Sequence, residues 1–162
     1  MEEIFLSRAI TSAEAKALLQ SAMPSLIVFE WDMMKGKDAP PDLNPDVDTH
    51  IWFELDAESD SLPLFPCRLS IYNLPRERVE ERQLWLGQML SARYELTVWV
   101  SFTHPDRPTD PYYGIVFERG ESYLADDSEV ASGELNAKPV LILGPYPLPS
   151  MKFDSYGRFE GR

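Results

Sequence analysis

The chain has 162 residues, 44% hydrophobic and 26% charged, which is ordinary for one globular domain with its own core. Its net charge of −12 argues against binding to nucleic acid or to an anionic membrane, because both require clustered Lys and Arg. The single cysteine, Cys67, excludes an internal disulfide framework and a cysteine-rich metal site.

The start of the chain lacks the features of a secretory signal. Residues 1–6 are acidic with a short apolar run, whereas a signal needs a basic start and a long apolar middle. No stretch approaches the roughly 18 apolar residues of a membrane span. We therefore expect a cytoplasmic protein.

In the first half, four further elements surround two copies of a repeated hexapeptide. A strand is predicted over Ile4–Ile10. The pair Thr11 and Glu14 forms a capping box that should start a helix, and Pro24 should end it near Met23. The Pro- and Asp-rich segment Lys35–Asp48 is a long loop, and Arg68–Tyr72 is a strand.

The hexapeptide occurs at Ile27–Asp32, Ile51–Asp56 and Ile115–Gly120. β-Branched and aromatic residues dominate it, so each copy predicts a strand. Side chains alternate across a strand, so one face of each copy should be apolar and the other should carry carboxylates. Toward the core we expect Ile27, Phe29, Trp31, Ile51, Phe53 and Leu55; on the opposite face we expect Val28, Glu30, Asp32, Trp52, Glu54, Asp56 and Glu118.

A second helix is predicted from Asn73–Pro75 to Tyr94, because proline is tolerated in a first helical turn. The mixed charges of Arg76–Arg82 are typical of a solvated helix face. Leu84 and Trp85 lie off the apolar stripe, which leaves two interpretations. They are covered by a loop or the tail, or they form an exposed contact patch.

The second half is rich in strands. We predict strands at Leu96–Phe102 and Val140–Leu143, a loop at Thr103–Pro111, and a hairpin from the third hexapeptide into Ser122–Ala125. Asp126–Asn136 is polar and should be loose. The tail, residues 150–162, either docks through its regularly spaced aromatic residues or is a free partner-binding peptide.

Together these elements predict an α+β fold: a mainly antiparallel sheet of five to seven strands with two helices packed on one face. Residues 1–149 should form a single domain, followed by the tail. The two halves share an order of strand, helix and strands, which is either a distant duplication or coincidence.

The outward face is the candidate site. Carboxylates around exposed aromatic rings are typical of a protein-contact surface, where rings supply binding energy and charges orient a cationic partner. The alternative is an ordinary polar sheet face whose tryptophans are covered. The predicted partner-binding residues are Glu30, Asp32, Trp52, Glu54, Asp56, Tyr72, Trp99 and Glu118.

Catalytic signals are weak. A pair of outward glutamates would serve a glycosidase-like reaction only within a cleft that raises one pKa. His50 and His104 each have an aspartate nearby but no metal-ligand spacing. Cys67 has no local histidine and is expected to be a small buried hydrophobe. We therefore predict no catalytic residue, metal or cofactor, and no enzyme.

Three function classes remain. The first is a stoichiometric inhibitor or adaptor that binds a basic protein. In size, acidity and lack of a catalytic motif, the chain resembles the small acidic immunity proteins that neutralise bacterial toxins; this resemblance of composition implies a basic, nuclease-type partner. The second is a small-molecule binder, with an apolar pocket between sheet and helices lined by Phe29, Trp31, Phe53 and Phe117. The third is a metal- or carboxylate-dependent hydrolase.

Overall fold

The computed structural model describes residues 1–132 and 140–161. The elements are β1 (Glu2–Leu6), α1 (Ser12–Ala22), β2 (Ile27–Glu30), a 3-10 turn (Met33–Lys35), β3 (His50–Asp56), β4 (Cys67–Tyr72), α2 (Val79–Arg93), β5 (Thr97–Ser101), β6 (Tyr113–Glu118), β7 (Glu121–Asp126), α3 (Ser128–Ser132), β8 (Leu141–Pro145), β9 (Lys152–Phe153) and β10 (Phe159–Gly161).

Eight strands form one sheet in the order β2-β3-β4-β1-β5-β6-β7-β8. The predicted α+β class and the mainly antiparallel pairing are confirmed, but the sheet is larger than the predicted five to seven strands. It is also mixed, because β2 runs parallel to β3. Parallel neighbours cannot be joined by a tight turn. The long loop between β2 and β3 is the connection that this pairing requires.

Both long helices pack on one face of the sheet, as predicted, over one continuous core. The capping box of α1 is confirmed: the N–H of Glu14 donates to the Thr11 hydroxyl, and the N–H of Thr11 donates to the Glu14 carboxylate, each at 3.0 Å. Strand β1 starts two residues earlier than predicted and ends at Leu6, because Glu2 through Leu6 pair along β4. The core-facing positions of the central strands include Ile4, Leu6, Val28, Ile51, Phe53, Leu69, Ile71, Val98, Val100, Ile115 and Phe117.

Helix α2 differs from its prediction in two respects. It begins at Val79 and not at residues 73–75, because Arg78 adopts a left-handed conformation with φ of 56°. The charged stretch Arg76–Arg82, which runs into the first turn of α2, is also not wholly solvated, because Arg82 is completely buried. Its guanidinium forms an ion pair with the carboxylate of Glu2 at 2.6 Å and donates to the carbonyl of Gly157 at 2.9 Å. The prediction of a solvated helix face is therefore wrong for Arg82.

The C-terminal segment lies against this part of α2. Strands β9 and β10 form a small hairpin, and the ring of Phe153 stacks on Trp85 with centroids 4.6 Å apart. Leu84 is also buried. The interpretation that the tail covers Trp85 is therefore correct. The segment predicted to be loose, Asp126–Asn136, begins with the last residue of β7 and is helical at Ser128–Ser132, so the prediction was wrong there. Its residues 133–136 lie outside the described residues, as does residue 162.

Candidate protein-contact site

The alternation predicted for the hexapeptides is confirmed in the second and third copies and wrong in the first. Ile51 and Phe53 are fully buried under the helices, while Trp52 faces away from them. In the first copy Val28, not Phe29, faces the helices. The cause is the parallel register, in which Val28 lies beside Ile51 and Phe29 beside Trp52. Neighbours across a sheet share a face, so at this edge strand the pairing with β3 overrides the local alternation, which places the carboxylates on the same side as Val28.

This reversal moves Glu30 and Asp32 out of the predicted outward cluster. Glu30 is on the helix side, where the hydroxyl of Ser12 donates to its carboxylate at 2.7 Å. Asp32 lies in the turn after β2, is nearly buried, and forms an ion pair with Lys37 at 2.6 Å. Glu30 is therefore not on the face of Glu54, and the carboxylate of Asp32 is paired with Lys37.

Trp99 does lie on the outward face, but it is not exposed. Only 3% of its surface is accessible, because Leu62 and Phe65 from the β3–β4 connection cover it. The indole rests directly on Gly114: a Cβ on that glycine would come within 2.2 Å of the ring. Trp99 therefore belongs to a second small core, and its predicted exposure was wrong.

Glu118 is exposed at the end of β6, where it pairs with Thr97 and Glu121. Four strand steps separate β6 from β3 in the sheet. At about 4.8 Å per step this is roughly 19 Å. Glu118 is therefore on the predicted face but distant from Glu54.

Four of the predicted residues do come together: Trp52, Glu54, Asp56 and Tyr72 occupy adjacent outward positions on β3 and β4. The register adds residues that the sequence interpretation did not assign to the site. These are Phe29 and Trp31 from the β2 side, Arg68 and Ser70 from β4, and Glu3 from β1. We call these nine residues the open half-face, because the β3–β4 connection covers the outward face around Trp99.

The centre of the open half-face is a stack of three aromatic rings. Trp52 lies between Tyr72, whose ring is nearly parallel at a centroid distance of 5.9 Å, and Trp31, tilted at 5.6 Å. The indole N–H of Trp31 donates to the carbonyl of Lys37 at 2.8 Å, which holds that ring in place. All three rings remain partly accessible. They form a partly apolar surface.

Glu54 lies beside this stack and is only 6% exposed. The N–H of Met34, in the 3-10 turn, donates to its Oε1 at 3.2 Å. Across residues 1–132 and 140–161, no Lys, Arg or His forms an ion pair with it. Burial, and secondly the charge of Glu54, raise the pKa of Tyr72 above its usual value. A nearly buried carboxylate thus faces the rings without a counter-ion from the described chain.

The cation of this surface is already engaged. Arg68 lies between Glu3 at 3.4 Å and Asp56 at 3.3 Å, with all three side chains about one-third accessible. The open half-face therefore presents three carboxylates and one guanidinium, so its local charge is negative. Arg68 compensates for the outer two carboxylates, not for Glu54.

The remaining predictions concern an apolar pocket, Cys67, a metal site and a membrane span. The predicted pocket between sheet and helices is absent for these residues, because Phe53 and Phe117 are fully buried in the core and Phe29 is on the opposite face. Cys67 is buried, and burial raises the pKa of its thiol. Within the described ranges, no group of His, Cys, Asp and Glu is arranged to hold a metal ion, and no helix is long and apolar enough to cross a membrane.

A separate groove of about 330 Å³ lies between the start of α2, the β5–β6 loop and the segment after β8. Its apolar walls come from Leu84, Phe102, Tyr146, Leu148 and Met151. Two glutamates of α2, Glu80 and Glu81, stand at its edge. No sequence pattern pointed to this groove, because its walls come from three distant segments.

The fold defines an α+β protein with an eight-stranded mixed sheet, two long helices on one face and an open, acidic and aromatic half of the other face. No family model matches this chain, and comparison with curated proteins and with solved structures gave no match.

Proposed function

We propose that the protein is an acidic protein-binding module, acting as a stoichiometric inhibitor or adaptor in the cytoplasm, and that it contacts a basic protein through the open half-face. The observation that carries this proposal is the stack of Trp31, Trp52 and Tyr72 beside Glu54, with all three rings partly accessible. Tryptophan and tyrosine are the residues that most often dominate binding energy at protein interfaces.

The contrast between the two halves of the sheet supports the same function. On one half, Leu62 and Phe65 cover Trp99 completely. On the other half, a second outward-facing tryptophan, Trp52, remains partly accessible. A net charge of −12 favours encounter with a basic partner and makes the association rate dependent on salt.

The test is capture and rebinding. The protein is used to capture binders from an extract of its host, and the captured protein is identified, purified and titrated by calorimetry at low and high salt. We expect a basic partner, 1:1 stoichiometry and weaker binding at high salt. Replacing Trp52 by Ala should weaken binding about thirtyfold, the equivalent of a 2 kcal/mol hot spot.

The matched control is Tyr112→Ala, since Tyr112 is an exposed aromatic residue at the other end of the sheet, 40% accessible, and should not affect binding. Equal affinities for wild type and Trp52→Ala would remove the open half-face from the interface and refute the proposal.

A second candidate function has one observation in its favour. The groove between α2 and the segment after β8 is lined by Phe102, Tyr146 and Leu148 and has the volume of a small ligand. We propose, as the alternative, that it binds a small apolar molecule with a cationic group directed to Glu80. A salt-insensitive rise in Tm with neutral apolar compounds, abolished by Leu148→Glu, would favour this function without the cation. A rise confined to apolar amines would favour it as stated.

A further inference from the structure

We propose that the open half-face contains a specific receptor site for one arginine side chain of the partner, formed by the Glu54 carboxylate and the rings of Trp31, Trp52 and Tyr72. This inference rests on the proposed function and specifies the chemistry of the partner. The carboxylate of Glu54 has no counter-ion among the described residues.

Glu54 as a whole residue is 6% exposed, so it keeps little contact with water, and buried charges are normally paired. Glu54 receives one backbone hydrogen bond, from Met34 to Oε1, and no described cation pairs with it. The described residues donate no hydrogen bond to Oε2. An incoming cationic group would therefore pair a charge that the free protein leaves without a counter-ion.

The rings select the kind of cation. Aromatic faces attract cations through their quadrupole, and tryptophan does so most strongly. A guanidinium is planar, stacks on rings and is more weakly hydrated than an ammonium, so it loses less on entering a nearly buried site. It can also donate to a carboxylate through its fork of N–H groups. Arginine fits this combination better than lysine.

The surroundings leave room for entry. The turn above Glu54 carries Met34, whose side chain is 75% exposed and unbranched, so it can move aside without unpacking the core. Arg68 does not compete for the site, because Glu3 and Asp56 hold it. The remaining negative charge of the half-face attracts a cation and does not repel it.

The test uses the full chain and N-acetyl-arginine methylamide, followed by ¹⁵N–¹H NMR of the four tryptophan indoles. We expect the Trp31 and Trp52 signals to move, while Trp85, behind the C-terminal hairpin, and Trp99, under its loop, stay fixed. N-acetyl-lysine methylamide, which has the same charge, should bind at least about threefold more weakly than the arginine compound. Glu54→Gln should weaken arginine binding about tenfold, and the exposed control Glu121→Gln should leave it unchanged.

Equal shifts with lysine, no shift with arginine, or an arginine shift that survives Glu54→Gln would overturn the inference. The two proposals remain separable. If a captured partner depends on Trp52 while the arginine probe fails, the arginine site is refuted and the protein-binding function stands. If the probe binds selectively while no partner depends on Trp52, the site stands as a ligand site and the protein-binding function is refuted.

Discussion

Replacing Arg82 by Met should destabilise the protein by about 3–5 kcal/mol, the usual cost of removing one partner from a buried ion pair. Arg82 is wholly inaccessible, and Glu2 is 1% exposed. The guanidinium pairs with Glu2 at 2.6 Å and also donates to the carbonyls of Gly157 at 2.9 Å and Glu77 at 3.2 Å. Methionine fills similar volume but leaves a buried carboxylate and these carbonyls without donors.

The same geometry predicts strong coupling between the two partners. Glu2→Gln removes one charge of the pair, and the double variant then buries no unpaired charge. We expect the double variant to be more stable than the sum of the single losses predicts, by about 1–3 kcal/mol. Arg78→Met is the matched control. Arg78 also pairs with a glutamate, at 2.9 Å, but it is 55% exposed, so its loss should cost less than about 1 kcal/mol.

The assay is urea unfolding, followed by tryptophan fluorescence and fitted with a common slope. For a chain of this size, 3–5 kcal/mol corresponds to a fall in Tm of roughly 6–20 °C. A loss below about 1 kcal/mol for Arg82→Met, or strict additivity with Glu2→Gln, would show that the N-terminal strand, α2 and the C-terminal hairpin are not held together through this side chain.

Three further predictions follow from single contacts. Gly114→Ala should cost about 1–3 kcal/mol in urea unfolding, because the new methyl group collides with Trp99; an unchanged midpoint would contradict that packing. The pKa of Tyr72 is raised above 10.0 in the folded protein. The neutral Tyr72 side chain therefore contributes its full stabilisation below pH 10.0, and this stabilisation is lost as the pH rises through the folded-state pKa. The pKa can be measured by ultraviolet difference titration, with Tyr72→Phe as the reference, and Glu54→Gln should lower it. An unchanged titration would show that the charge of Glu54 does not act on Tyr72. Cys67 should react with a thiol reagent only at the rate of unfolding, whereas fast reaction in native buffer would show that it is accessible.

Much of the fold could be predicted from local sequence. The capping box at Thr11, the alternation around Phe53 and the strand at Val98 each depend on neighbours in the chain, and each is confirmed. The errors arise where distant pairing decides. The outward side of the first hexapeptide depends on its parallel register with β3, which no local pattern encodes. The burial of Arg82 depends on Glu2 and Gly157, both at least 75 residues away.

The positions of the candidate site residues can also be predicted only where local alternation decides them. Alternation with core residues predicts that Trp52, Glu54 and Tyr72 face outward, and the pairing of β3 with β4 places them on one surface. The alternation in Ile27–Asp32 predicts that Trp31 faces the core, because Glu30 and Asp32 lie on the opposite side of the strand, and the parallel register with β3 reverses this. Trp99 was assigned to the exposed surface, because the loop that covers it is distant in sequence. The long loop after Trp31 is compatible with a parallel neighbour, since parallel neighbours need a long connection, but loop length does not specify the register.

The central claim is that a basic partner occupies the open half-face, and hydroxyl-radical footprinting of the purified complex tests it most directly. Oxidation of Trp31, Trp52 and the exposed Met34 should fall several-fold in the complex, while Tyr112 and Tyr156, on other surfaces, should be oxidised as in the free protein. Unchanged oxidation of Trp52 and Met34 in a saturated complex would contradict the account.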